Sequence, residues 1–136
     1  MREAQINRHA VRWTEPSRSP DDSLTTGNGE IGINVWTEAS ADVCMYLART
    51  DAFSQDCRLL KLGRIRLTIT PTPFDDTPAV VQYLNLARGR VEITLGEGDR
   101  EVSLWVWVDA EHPVIHVEGQ AATPFEFHSN HEMSRT

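Results

Sequence analysis

Strict alternation of apolar and polar residues is the feature that most constrains the fold of this chain. Three segments place an apolar side chain at every second position, namely Ile31–Val35, Ile65–Ile69 and Val91–Leu95. Because successive side chains of a β-strand point to opposite faces, a period of two predicts strands with one buried face. No segment shows a sustained helical period, and only Leu59–Leu62 is interpreted as a short turn of helix.

Further strands are predicted where apolar runs end at turn residues, at Val43–Ala48, Val80–Leu86, Val102–Val108, Val114–Glu118 and Phe125–His128. Polar, proline-punctuated segments at Glu15–Ser23 and Pro71–Pro78 are predicted loops, since proline cannot continue a strand ladder. Strands at roughly ten-residue spacing are typical of antiparallel sandwiches. The predicted fold class is therefore all-β, an antiparallel β-sandwich of the supersandwich type, either whole or cut within the domain.

Size and charge exclude several function classes. The 136 residues suit one domain, and 13 Lys and Arg against 20 Asp and Glu give a net charge of −7. Such a chain has no broad basic surface, so nucleic acid and anionic membranes are not expected partners. No run reaches the roughly 18 apolar residues of a spanning helix. The start, MREAQINRHAV, lacks the apolar region of a signal peptide, which indicates a cytoplasmic protein or a leader that has been removed.

The sequence predicts neither a metal nor a cofactor. Cys44 and Cys57 are too few for a disulfide framework, and both are interpreted as free thiols, with a single bridge between them as the alternative. His128, His131 and Glu132 form an H-x-x-H-E motif, but its order differs from that of the helical zinc motif and no helix is predicted there.

The stretch TTGNGEIGINVW contains G-x-G-x-x-G from Gly27 to Gly32. A dinucleotide loop needs a strand before these glycines and a helix after them. Here the preceding residues are predicted to form a polar loop and the following ones a strand. The motif is therefore interpreted as a tight turn at Asn28-Gly29 with a positive φ, with Gly32 leaving room for a neighbouring backbone or a ligand.

A family resemblance begins at the same residues. The run from Ser23 to Trp36, preceded by Trp13 and Pro16, resembles the start of the N-terminal β-sandwich domain of bacterial glycoside hydrolases with an (α/α)6 toroid. The α-L-fucosidase-like family is similar, and an uncharacterised sister group is more so, because Ala48-Arg49 replaces that family's Asn-Glu and Phe53 replaces its Trp.

The resemblance implies a role without catalysis for residues 1–136. The two carboxyl groups that hydrolyse a glycoside would lie in a downstream helical domain that is absent from this chain. The sandwich would pack on that domain, bind carbohydrate and help to shape its cleft, and the protein would be periplasmic or secreted.

Substrate-binding candidates lie in two segments. The resemblance implies a rim formed by Asn28 and Glu30 with Arg49, Asp51 and Phe53. Asp51 and Asp56 flank Phe53 in a predicted loop, where solvated carboxylates are the alternative interpretation.

Trp105 and Trp107 lie on one face of a predicted strand, two residues apart. Such a pair can present two rings to the apolar face of a sugar, and the alternative is an inter-sheet core or a domain interface. Two further hypotheses follow, which are a free-standing carbohydrate-binding module that uses these rings and a purely structural sandwich that mediates oligomer contacts.

Overall fold

The computed structural model of the chain describes residues 2–53, 59–75 and 77–132, of which residues 2, 3, 50–53, 59–62 and 132 are described by their backbone alone. A short helix, α1, spans Arg2–Ile6, and 3₁₀ turns occupy Asn7–His9, Pro20–Asp22 and Gly98–Arg100. The ten strands are β1 (Arg12–Trp13), β2 (Leu24–Gly27), β3 (Ile31–Thr37), β4 (Val43–Phe53), β5 (Leu59–Thr70), β6 (Val80–Asn85), β7 (Arg90–Leu95), β8 (Val102–Val108), β9 (Ile115–Ala121) and β10 (Glu126–Glu132).

The strands form two antiparallel sheets of five. Sheet I has the order β1-β6-β7-β8-β9, and sheet II has the order β10-β5-β4-β3-β2. Each sheet is a four-stranded meander completed by a strand from the far end of the chain. Two packed antiparallel sheets make a β-sandwich, so the predicted fold class is confirmed.

The core lies between the sheets and follows the alternation. Ile33, Val35, Val43 and Met45 of sheet II and Val91, Ile93, Leu104 and Val106 of sheet I are each at most 1% exposed. Most are β-branched or long aliphatic residues that pack well on a pleated surface. The period of two in the sequence therefore corresponds to one buried face per strand.

A buried amide joins the two sheets to the segment that links β1 with β2. The Gln82 side chain is 0% exposed and accepts a hydrogen bond from the Thr37 backbone N–H at 3.0 Å. It donates to the Glu15 carbonyl at 3.2 Å and to the Ser17 hydroxyl at 3.1 Å. A buried amide is stable only when it is hydrogen-bonded in this way, so Gln82 holds the crossover segment against both sheets.

Two predictions around the β4–β5 hairpin were wrong. Leu59–Leu62 is the start of strand β5 and not a helical turn, because the chain pairs with β4 there. Strand β4 continues past Ala48 to Phe53, so Asp51 and Phe53 lie in a strand and not in a loop. Asp56 and Cys57 lie outside the described residues.

The glycine motif is a hairpin turn. The residues before it form strand β2 and not the predicted loop, and β2 pairs with β3 through Leu24↔Val35 and Gly27↔Gly32. Gly29 has a φ of 92°, as predicted, and a Cβ on Gly27 would lie 2.7 Å from the Ile31 carbonyl oxygen. Beyond its chain neighbours, no atom of the described residues lies within 4 Å of the place of a Cβ on Gly32, so the neighbouring-backbone alternative was wrong and the ligand alternative stays a prediction. A strand and not a helix follows the glycines, so the dinucleotide-loop geometry is not formed.

Antiparallel pairing places the connections at two ends of the sandwich. The upper end is formed by the β2–β3 turn (28–30), the β6–β7 turn (86–89) and the β8–β9 loop (109–114). The Thr26 hydroxyl donates to the Gly89 carbonyl at 2.9 Å, which joins the first two of these turns. The lower end holds the connections 38–42, 71–79 and 96–101. Among the described helices, none is long and apolar enough to span a membrane.

Candidate functional site

Asn28 holds the upper end together. Its side-chain amide donates to the Asp109 carbonyl at 2.7 Å and to the His112 carbonyl at 3.0 Å. Its amide oxygen accepts from the backbone N–H groups of Glu30 and Ile31, both at 2.9 Å. These four bonds use both donors and both lone pairs of the amide. Through these bonds Asn28 fixes the β2–β3 turn to the β8–β9 loop. Its predicted contact with a substrate stays a prediction.

Glu30 and Arg49 meet beside this clamp. The Arg49 guanidinium lies 2.9 Å from the Glu30 carboxylate, and their side chains are 41% and 43% exposed. Strand pairing causes the meeting, because Ile31 lies opposite Arg49 in the β3–β4 ladder. Beyond Arg49 the backbone of β4 continues past the start of β3 through Asp51 to Phe53, which pairs with Leu59 of β5. The side chains of Asp51 and Phe53 lie outside the described part of the chain.

Trp105 and Trp107 lie on the outer face of sheet I. The alternating residues Leu104 and Val106 are completely buried, whereas both tryptophans are half-buried. The inter-sheet core is therefore excluded as their location. Their cross-strand neighbours differ, since Trp105 lies between Glu92 and Glu118 while Trp107 lies between Arg90 and His116.

The Trp107 ring has a fixed support on one side. The His116 ring stacks on it with centroids 5.0 Å apart and an angle of 20° between planes. His116 Nε2 lies 3.1 Å from the Asp109 carboxylate, which requires a proton on Nε2. A chain of contacts thus runs from Asn28 through Asp109 and His116 to Trp107, and it links the turn clamp to the aromatic ring.

Asp109 is held as a carboxylate. The backbone N–H of Glu111 donates to it at 2.9 Å, and His116 and His112 both place a ring nitrogen 3.1 Å away. These hydrogen bonds hold the pKa of Asp109 well below its usual range. A carboxyl group that stays ionised can accept hydrogen bonds but cannot donate a proton, so Asp109 is suited to positioning and not to acid catalysis.

A small cleft opens beside Trp107. It has a volume of about 330 Å³ and is lined by Trp107, Arg88 and Arg90. The β6–β7 turn places Arg88 there, and Asn85 stabilises that turn by accepting a hydrogen bond from the Arg88 backbone N–H at 3.2 Å. Asn7 reinforces the same turn, because its amide donates to Asn85 at 3.1 Å. The upper end therefore combines an aromatic wall with two guanidinium groups.

Residues 12–136 match the family model described as Domain of unknown function (DUF5703), which covers most of the chain. The chain belongs to the DUF5703 family. No curated protein and no solved structure gives a significant match. Membership in DUF5703 carries no assigned activity, so the function of this domain has to be argued from its site.

The DUF5703 domain also has two larger clefts at its lower end. They measure about 830 and 820 Å³, and they contain none of the residues predicted for substrate binding. Each cleft has an ion pair in its lining or beside it, as Glu38 lies 2.8 Å from Arg66 and Asp75 lies 2.9 Å from Arg100. In the part of the chain that the structure describes, no three His, Cys, Asp or Glu side chains are arranged so that they could hold a metal ion. His128 and His131 lie on opposite faces of β10, because they are three residues apart in a strand.

Sequence reasoning missed Asp109, His116, Arg88 and Arg90 at this site of the DUF5703 domain. The Asp-Ala-Glu-His-Pro run after β8 is typical of a loop in which Asp accepts backbone hydrogen bonds two and three residues ahead. That signal could have identified Asp109. The proximity of Arg90 and His116 to Trp107 depends on strand register, which has no local signal in the sequence.

Proposed function

We propose that this DUF5703 chain is the non-catalytic N-terminal β-sandwich domain of a glycoside hydrolase. It packs on a helical catalytic domain, and its upper end helps to shape the carbohydrate-binding cleft. The observation that carries the proposal is the meeting of Glu30 and Arg49, which were predicted from separate segments and form an exposed ion pair at one end. The resemblance of residues 23–36 to the toroid glycosidases supports the same role.

The rigidity of the upper end supports a part in sugar recognition. Sugars are bound by a few polar groups held in place before the ligand arrives, because ordering them afterwards costs binding free energy. Asn28 supplies this order by joining two turns, and the Thr26–Gly89 hydrogen bond joins a third. Polar groups on three rigid turns are a suitable rim for a cleft.

The carboxylates of the upper end support a role without catalysis. A glycosidase needs one carboxyl group with a raised pKa that acts as an acid and a second one across the bond, about 5 to 10 Å away. Among the described residues, Glu30 is paired with Arg49 and Asp109 has a lowered pKa. Neither has the environment of a proton donor.

Glycan binding tests the cleft proposal. We expect Arg49→Ala to weaken binding of a glycan by tenfold or more in calorimetric titrations against a broad panel. Arg100→Ala is the control, because Arg100 also forms an exposed ion pair, with Asp75 at the lower end. Equal loss in both variants would contradict a site at the upper end.

The downstream reading frame tests the domain partner. We expect the gene to continue after the codon of Thr136 into several hundred residues with helical periodicity and loop carboxylates. Co-expression of that segment with residues 1–136 should then give a stable complex. A stop codon at that point would overturn the proposed helical partner.

The second candidate is a free-standing carbohydrate-binding module, and the outward position of Trp105 and Trp107 favours it. Its test is tryptophan fluorescence during glycan titration, where Trp105→Ala/Trp107→Ala should remove the response. Trp13→Ala is the control, since Trp13 is 43% exposed at the edge of sheet I. No response to any glycan together with a concentration-dependent mass would favour the structural sandwich instead.

A further inference from the structure

We propose that the cleft beside Trp107 binds an acidic sugar, a pyranose that carries a carboxylate, as in the uronic acids. This inference deepens the carbohydrate-binding role proposed above and rests on it. Three observations carry it, which are the aromatic wall, the pair of guanidinium groups and the difference between the surroundings of the two tryptophans. The ligand class follows from the chemistry that these groups recognise.

The wall of the cleft is a ring with a fixed orientation. His116 stacks on Trp107, and Asp109 holds His116 through Nε2 at 3.1 Å. Asp109 is itself fixed by backbone hydrogen bonds and by the Asn28 clamp on its carbonyl. An indole that is held in this way offers a flat apolar surface against which the C–H face of a pyranose can pack without ordering the side chain.

One hydrogen bond orients the guanidinium of Arg90 and leaves its two terminal nitrogens available. Its Nε donates to the Glu92 carboxylate at 2.8 Å, and the side chain is 30% exposed. Within the described residues this is the only hydrogen bond of the Arg90 side chain, so its two terminal nitrogens point to no protein acceptor. Terminal guanidinium nitrogens bind a carboxylate through short, charge-assisted hydrogen bonds.

Arg88 adds a second positive charge at the same cleft. The chain has a net charge of −7, yet this small cleft is lined by two arginines and by no carboxylate, and the Glu92 carboxylate beside it contacts Arg90 at Nε. A volume of about 330 Å³ lies at the lower limit for ligand sites, which suits one sugar unit and not a long chain.

Trp105 lies on the same strand, but its charged neighbours differ from those of Trp107. Its cross-strand neighbours are Glu92 and Glu118, which repel an anion, whereas Trp107 lies between Arg90 and His116. A carboxylate is therefore attracted toward the Trp107 end of the strand and repelled from the Trp105 end. The two charge environments give an acidic sugar one favourable place and one orientation.

Titration with paired ligands tests the proposal. The panel consists of galacturonate, glucuronate and mannuronate oligosaccharides, each also as its methyl ester, together with neutral glycans. We expect at least one uronate to bind and its methyl ester, which removes only the charge, to bind at least tenfold more weakly. The affinity should also fall with added salt, because the attraction is electrostatic.

Variants locate the site. Arg90→Ala and Trp107→Ala should each weaken uronate binding by tenfold or more, and Arg88→Ala should weaken it without affecting the Arg90–Glu92 pair. Arg100→Ala and Trp13→Ala are controls of the same residue types away from the cleft. If Arg90→Ala folds poorly, Arg88→Ala still tests the site, provided that its thermal unfolding matches that of the wild type.

The outcomes separate this inference from the proposed function. Equal affinity for acid and ester, or uronate binding that is insensitive to Arg88, Arg90 and Trp107, overturns the acidic-sugar site. Binding of neutral glycans that depends on Arg49 would leave the cleft role standing while the inference falls. Uronate binding that depends on Arg90 and not on Arg49 would support the inference and carbohydrate binding, and it would overturn only the part proposed for Arg49. No binding of any glycan would overturn both the inference and the proposed function.

Discussion

Trp36 and Trp107 hold equivalent places on the outer faces of the two sheets, yet one is buried and the other is not. Both alternate with core residues along their strands, and neither belongs to the inter-sheet core. Trp36 is only 2% exposed, and residues of the crossover segment such as Pro16 and Arg18 lie beside it. Trp107 keeps an open side next to Arg90. Strand alternation therefore determines which face of the sheet a side chain lies on. Its exposure depends on whether another segment of the chain packs over that face.

The surroundings of Trp36 form a partly buried polar cluster on sheet II. Arg66 lies 2.8 Å from Glu38 and 2.9 Å from Asp42, and the buried thiol of Cys44 lies 3.6 Å from Glu38. Burial raises the pKa of Cys44 to about 12, so the thiol stays protonated and unreactive at neutral pH. Around Trp36 and Cys44 the outer face of sheet II is thus buried, whereas around Trp107 the outer face of sheet I stays partly exposed.

The largest expected difference is between the two tryptophans themselves. Trp36→Ala should lower the free energy of unfolding by about 3–5 kcal/mol, because it removes a large buried ring. Trp107→Ala should lower it by about 1 kcal/mol or less, because the ring is half-buried. Urea unfolding of both variants measures the difference. Equal losses would show that the outer face of sheet I is structural and would weaken the binding interpretation.

The second-largest loss of stability is expected when the Asn28 clamp is removed. Asn28→Ala removes four hydrogen bonds, two of which satisfy backbone N–H groups in the β2–β3 turn, so unfolding should become easier by about 2 kcal/mol. Asn28→Asp keeps the acceptor for the turn and loses the donors to the β8–β9 loop, so it should fall between the wild type and Asn28→Ala. If Asn28→Asp matched the wild type in urea unfolding, the link between the two connections would contribute nothing to stability.

Arg66→Ala is expected to cost about 1 kcal/mol, since it leaves the partly buried Glu38 and Asp42 carboxylates without their cation. The hydrogen bond from Arg66 lowers the pKa of Glu38 below 4.5, so this stabilisation is present above pH 4.5 and is lost as the pH falls through the lower folded value. The gap between wild type and Arg66→Ala in urea unfolding should therefore narrow below pH 4.5. A gap that widens on acidification would contradict the assigned direction.

The smallest effect is expected for Cys44→Ser. The serine hydroxyl can still donate to Glu38, where the thiol lies 3.6 Å away, so the free energy of unfolding should change by less than about 1 kcal/mol. Cys44→Val is the comparison, because it fills the space and removes the donor. A large loss for Cys44→Ser together with a small one for Cys44→Val would mean that the packing of the thiol, and not its hydrogen bond, matters at this position.

The sequence predicted the strands well where one face is buried. The alternation at Ile31–Val35, Val91–Leu95 and Val102–Val108 corresponds to β3, β7 and β8. It failed at Leu24–Gly27 and Leu59–Leu62, where the residues are Leu-Thr-Thr-Gly and Leu-Leu-Lys-Leu and show no clear period. Pairing with a neighbouring strand decides such segments, because ladder hydrogen bonds can override a weak local preference.

The candidate site was predictable only in part. Asn28 and Glu30 could be assigned to a turn, and the pattern around Trp105 and Trp107 indicated a strand with large rings on its second face. The partners Arg90 and His116 could not be assigned, since they contact Trp107 through register with two other strands. Register depends on how whole strands bury their apolar faces, and no short stretch of sequence contains that information.

By itself the sequence determined that this protein is a β-sandwich with apolar strand faces and a glycine turn at Gly29, because side-chain alternation and a positive φ are properties of single residues and their neighbours. Only the tertiary structure decided that Trp36 is buried while Trp107 faces a cleft with two arginines. The physical reason is that exposure and charge environment arise from segments far apart in the chain, which meet only when both sheets have closed on one core.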